Sequence, residues 1–177
     1  MLLRISLPVL SAIFFTACNH NGNSPTTGAT APEQVSAPAP AQGLQIKDDK
    51  LQAVFQQYEQ LTAALVNGDM AAAKIAANAI MLGAGQVNNG QAVVDAAGKI
   101  TTAADVEAQR NSFAALSKDM ITLVKQSGLK SGALYVDFCP MAQQDKGAYW
   151  LSRNKIIENP YFGEQMPTCG SVQETLQ

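Results

Sequence analysis

Between residues 48 and 127 apolar side chains return every three or four positions, and this helical period constrains the fold more than any other feature. Leu51, Val54, Phe55, Tyr58, Leu61 and Leu65 fall on one stripe of a helix over about 48–67. Asp48 or Asp49 can cap its start, and Asn67-Gly68 can end it, because these residues tolerate the left-handed backbone of a C-cap. Asp69 can cap a second helix over about 70–83. Its alanines, with Ile75, Ile80, Met81 and Leu82, suit close approach of a neighbour. The link between the two is so short that they must run antiparallel. Gly83, Gly85, Asn88, Asn89 and Gly90 break the chain before a short helix over about 91–99. The strongest helix spans 103–127. Thr102 and Asp105 have the spacing of a capping box, with Asp in place of the usual Glu. Val106, Phe113, Leu116, Met120, Leu123 and Val124 form its apolar face, and Gly128 stops it. Arg110 lies near that face, so its charge needs an ion pair or a backbone carbonyl.

The texture changes after residue 130. Ala133 to Phe138 has strand composition, Gln143 to Lys146 is turn-like, and Ala148 to Leu151 can return as the partner strand. Asn159-Pro160-Tyr161-Phe162-Gly163 reads as a fixed turn. Trp150, Tyr161 and Phe162 are read as anchors that pack this part onto the helices. The expected fold is mainly α: a bundle of three to four helices with a small C-terminal β-hairpin or loop appendage. No repeat of solenoid length interrupts it.

The N-terminus reads as targeting sequence. Arg4 gives a positive start and Leu7 to Phe15 an apolar stretch, after which Phe15-Thr16-Ala17-Cys18 places small residues before a cysteine. The expectation is a lipoprotein signal peptide over 1–17, cleaved before Cys18, with lipid on the Cys18 thiol. Residues 18–46 then form a tether: Pro25, Pro32, Pro38 and Pro40 stand among Ser, Thr, Gly, Asn and Ala, with little apolar surface to bury. His20, the only histidine, lies in it. Residues 47–177 form a single domain. No later run approaches the roughly 20 apolar residues of a membrane span. Asn19, rather than aspartate, follows the lipidated cysteine. The location expected is the cell envelope, at the outer membrane facing the periplasm.

Net charge is −2 and becomes −3 once Arg4 is removed, with no basic patch, which argues against a nucleic-acid partner. The domain has no histidine, no glycine-rich phosphate loop and no evident carboxylate pair, so a binding module is expected rather than an enzyme. What remains is sulfur. Cys139-Pro140-Met141 forms one cluster and Met166-Pro167-Thr168-Cys169 a second. Thiolate and thioether together select Cu(I), and Ag(I) by the same softness. Cys139 and Cys169 also suit a disulfide closing a loop of about thirty residues, worth roughly 3 to 4 kcal/mol. Buried inert thiols and methionine as core filler are the remaining readings.

The C-terminal third resembles the domain-of-unknown-function family numbered 3347, found as free exported proteins and as C-terminal extensions of copper/silver efflux adaptor proteins. Tyr135 to Ala142, Gly147 to Ser152, Asn159 to Gly163 and Met166 to Gly170 carry the resemblance, with Arg110, Phe113 and Ser117 upstream. It extends over about residues 48–175, with the C-terminal blocks the more specific. The resemblance implies a helical bundle with a small appendage and a link to Cu(I) or Ag(I) handling. The candidate ligands are Cys139, Met141, Met166 and Cys169, and the candidate partners are heavy-metal efflux adaptor proteins. Phe138 stands where the family commonly has His before the cysteine. That leaves only sulfurs, which either narrows the site to soft monovalent ions or marks a member without metal.

Overall fold

Four helices carry the periodic segments. The computed structural model describes residues 43–177; the signal segment, Cys18, His20 and most of the expected tether lie outside the described residues. Helix α1 is Asp49–Val66, α2 Met70–Ala84, α3 Gln91–Thr102 and α4 Val106–Ser127. Asp48 caps α1 by accepting from the Lys50 and Leu51 N–H groups, and Asp69 caps α2 by accepting from Ala72. Gly68, at φ +68, supplies the left-handed residue that lets the chain reverse between them.

Each helix packs on the next, and α4 closes onto α1. Small residues set the spacing of the middle pair: Ala73, Ala76 and Ala77 of α2, and Ala96 and Ala97 of α3, are buried. Larger side chains fill the rest of the core, among them Phe55, Tyr58, Leu61, Leu65, Ile80, Ile100, Phe113, Leu116 and Met120. Among the described residues no helix is long and apolar enough to cross a membrane.

The expected capping box at Thr102 is not formed. Helix α3 continues through Thr102, whose hydroxyl donates back to the Gly98 and Lys99 carbonyls. Asp105 caps α4 instead, accepting from the Ala108 N–H at 2.7 Å. The carboxylate prevails because it stands directly before the helix and accepts without also having a proton to place.

The appendage is larger than a hairpin. Strand β1, Gln45–Ile46, pairs antiparallel with β2, Leu129–Ser131; it uses the last two residues of the expected tether, and Ile46 is buried. Strands β3, Leu134–Cys139, and β4, Ala148–Ser152, form the expected antiparallel pair. A third strand, β5 over Ser171–Leu176, adds to the other edge of β3, giving the order β4-β3-β5. Strand β5 escapes sequence reading because nearly all its residues are exposed, so no apolar alternation marks it. Between β3 and β4 the chain makes a left-handed turn, with Gln143, Gln144 and Asp145 all at positive φ.

Candidate functional site

Along β3, Leu134 and Val136 are buried on either side of a half-buried Tyr135, and past an irregularity between Val136 and Asp137 the buried positions become Asp137 and Cys139, with Phe138 half-buried between them. Register sets Trp150 opposite Asp137, Ala148 opposite Cys139, and Tyr149 opposite Phe138. The segment 153–170 folds over the Cys139 face. Its Tyr161 ring meets Trp150 edge-on at 5.9 Å, and its hydroxyl donates to the Tyr149 carbonyl at 2.6 Å. At the end of this segment Cys169 reaches Cys139, thirty residues away in sequence, with the two Sγ atoms 2.8 Å apart. Cys139 is fully buried and Cys169 partly so. The Cys169 thiol is pushed up to about 11, chiefly by its hydrogen bond to Cys139 and then by burial, against an opposing contact from the Met141 backbone.

Single polar side chains hold this segment in place. Asn159 is buried, and its amide donates to the Cys169 carbonyl at 2.7 Å. Its side-chain oxygen accepts from the Tyr161 and Phe162 N–H groups, and its own N–H donates to the Pro167 carbonyl. The expected Asn-Pro turn is therefore present, and one side chain ties both ends of the loop. Arg110 takes the carbonyl option: Nη2 donates to Leu65 O at 2.8 Å and Nε to Pro160 O at 3.1 Å. It thereby adds a side-chain donor to the Leu65 carbonyl, which also accepts from the Gly68 N–H, and fastens the loop to the C-terminus of α1. Gly163 sits at φ +53, and a Cβ there would lie 2.5 Å from both Arg110 Nη2 and the Val66 carbonyl.

The other positions of the α4 face do related work. Phe113 stacks on Tyr58 at 5.5 Å and meets Tyr161 at 5.6 Å. Ser117 bonds the Tyr58 hydroxyl at 2.6 Å, and that hydroxyl accepts from the Leu151 N–H of β4 at 3.0 Å. Burial holds the Tyr58 phenol well above its ordinary range, so it stays neutral. Arg110, Phe113 and Ser117 thus form one face of α4 that receives the C-terminal region. Trp150 and Tyr161 are buried as expected of anchors, while Phe162 is half-buried.

Of the four candidate sulfur ligands, the fold brings two into contact, Cys139 and Cys169. Met141 is 47% exposed and lines a cavity of about 420 Å3 with Arg110, Asn111 and Phe162. Met166 is half-buried at the end of the short 3-10 turn Gly163–Gln165. No group of three or more His, Cys, Asp or Glu side chains gathers among the described residues. Phe138 packs on Tyr149 with ring centroids 4.5 Å apart, on the face of β3 opposite Cys139.

Asp137 was not singled out by sequence reasoning. It is fully buried, neither carboxylate oxygen has a hydrogen-bond partner among the described residues, and desolvation raises its pKa to about 6. The available signal was an acidic residue two positions before Cys139 within an otherwise apolar strand.

One comparison with known proteins is positive. The family described as "Protein of unknown function (DUF3347)" matches residues 54–132. The match runs from within α1 to just before β3. It covers the helical part of the resemblance and stops short of the sulfur-bearing blocks. No curated protein and no solved structure matches the chain.

Proposed function

Taking as premise that the chain belongs, through residues 54–132, to the DUF3347 family of proteins of unknown function, we propose that it is an envelope lipoprotein that binds a soft monovalent ion. In this reading lipid on Cys18 anchors it at the outer membrane, facing the periplasm, and the tether lets the domain range from the surface. The Cys139 and Cys169 thiols take Cu(I) or Ag(I), buffering it or handing it to a heavy-metal efflux adaptor. The chain acts as a binder and not as an enzyme.

One observation carries the reading: the fold converges two thiols from distant positions onto one point at the end of β3. Paired thiolates suit monovalent soft ions of low coordination number. The half-exposed Met141, on the turn directly after Cys139-Pro140, is a thioether available to an arriving ion. The two thiols must lose their protons and separate enough to admit the ion between them, so binding releases protons. Phe138 weakens the reading little, since a side chain at that position lies across the strand from Cys139. The test is titration of the reduced, delipidated protein with Cu(I) against a chromophoric chelator. Competition that is lost in Cys139→Ser and Cys169→Ser and weakened in Met141→Leu supports the proposal. No competition by the parent overturns it.

A second reading is favoured by the closeness of the two sulfurs and the complete burial of Cys139. Here Cys139 and Cys169 form a permanent disulfide, and the domain is a structural module that docks on an efflux adaptor or another envelope partner. Intact-mass measurement of protein isolated from the envelope without reductant separates the two. A mass 2 Da below the dithiol form, in every molecule, favours the module.

A further inference from the structure

Arg110 is only 8% exposed, yet no carboxylate balances its charge. The ion pairs among the described residues are Lys125–Glu174, Lys130–Asp49 and Arg153–Glu59, and Arg110 belongs to none of them. A guanidinium carries five N–H donors. Nε and Nη2 donate to the Pro160 and Leu65 carbonyls, while Nη1 has no hydrogen-bond partner among the described residues. Carbonyls supply only partial charge, and a buried cation is costly until a full negative charge meets it. Arg110 lines the cavity of about 420 Å3 between α4 and the turn that follows Met141. A space of that size holds one small molecule.

We propose that this cavity binds a free α-amino acid with an apolar side chain, its carboxylate held by Arg110. The charges around the cavity select that class. Glu107 and Asp145 also line it, both exposed and neither paired with Arg110. A plain carboxylate on Arg110 would face these two acids, and a phosphate, with more charge, would be repelled more strongly. A plain cation would lie beside the guanidinium. A zwitterion meets both signs: its carboxylate takes the Nη1 donors, and its ammonium faces Glu107 or Asp145. The half-buried Phe162 and the half-exposed Met141 offer apolar surface to the ligand's side chain. The Gln143 amide donates to Asn111 at 3.2 Å and so ties the turn to α4 across the cavity. Gln143, Gln144 and Asp145 are all at positive φ, and left-handed backbone outside glycine is costly and gathers at ligand sites. The site uses neither thiol, so it does not rest on the ion-binding reading.

The test is equilibrium dialysis of the full chain, solubilised with its lipid in a mild detergent, against L-valine, isovalerate and isobutylamine. The second probe is valine without its ammonium and the third is valine without its carboxylate. The proposal expects one valine site, about tenfold or more tighter than for either fragment. Asn111→Trp puts an indole into the cavity from an exposed position of α4 and should abolish binding. Glu107→Gln with Asp145→Asn, also at exposed positions, should weaken valine about tenfold and leave it no better than isovalerate. Arg110→Lys keeps the charge without the planar fork and should weaken valine about tenfold. The variants at exposed positions should keep the melting point of the parent, so their loss of binding is not a loss of fold. No valine binding by the parent, isovalerate binding as tightly as valine, or valine binding that ignores the exposed-site variants would each overturn the proposal.

Discussion

In the bundle, many small contributions share the load. Helices α2 and α3 face their neighbours with alanines and single Ile or Val side chains, and each contact resembles the next. In the C-terminal region a few side chains each do something nothing else does. Arg110 joins α1 to the loop, Asn159 closes the loop on itself, Tyr58 reaches the edge of β4, and Cys139 meets Cys169. The difference teaches where tolerance lies. A bundle built on periodicity absorbs conservative changes, whereas a region held by single keys fails when one key is removed. One of these keys, Asn159, bonds the Cys169 carbonyl, so the loop is fixed beside the thiols where the chemistry is proposed.

The comparison breaks first at Phe113, which belongs to both regions. Phe113→Ala removes a ring stacked on Tyr58 and Tyr161, and should cost about 4 kcal/mol in urea unfolding. The bundle and the sheet should unfold in one transition; two separate transitions would show that the regions are independent. Arg110→Leu comes next. It leaves the Pro160 carbonyl without the Arg110 donor and the Leu65 carbonyl with only the Gly68 N–H, and should cost about 2 kcal/mol, without changing the helical circular-dichroism signal of the folded state. A loss below about 1 kcal/mol would mean that water replaces the guanidinium.

Asp137 sharpens the comparison through pH. Its carboxyl titrates near 3.8 in the unfolded chain and near 6 in the folded protein. Between those values the folded state holds more protons, so stability falls as pH rises from about 4 to about 6 and stays lower above. Protonation at the low end should be worth up to about 3 kcal/mol, and Asp137→Asn should flatten the profile. A parent profile already flat across this range would contradict the burial argument. The smallest expected effect lies on the bundle surface: Ile75→Ala should change stability by less than about 0.5 kcal/mol.

The two regions were unequally legible for the same reason that they differ in tolerance. Periodicity is a repeated signal, and it placed all four helices; misjudging Thr102 against Asp105 shifted one boundary by three residues. The C-terminal keys occur once each. Arg110 could be recognised as a charge in need of a partner, but Leu65 and Pro160 could not be named, because backbone carbonyls leave no mark in sequence. Strand β5 lacked a pattern because its pairing rests on backbone bonds to β3. Cys139 and Cys169 were legible as sulfurs, while their meeting depends on where Asn159 folds the loop. Asp137 was overlooked because a buried carboxylate without a partner runs against the usual rule for charge.

The central claim is that the meeting of Cys139 and Cys169 makes a soft-ion site, and Cu(I) competition by the reduced protein tests it most directly. The account predicts one equivalent of Cu(I) withdrawn from the chelator by the parent, more tightly as pH rises, and none by Cys139→Ser. A parent that leaves the chelator fully loaded at every pH, or a Cys139→Ser variant that competes equally well, would contradict it.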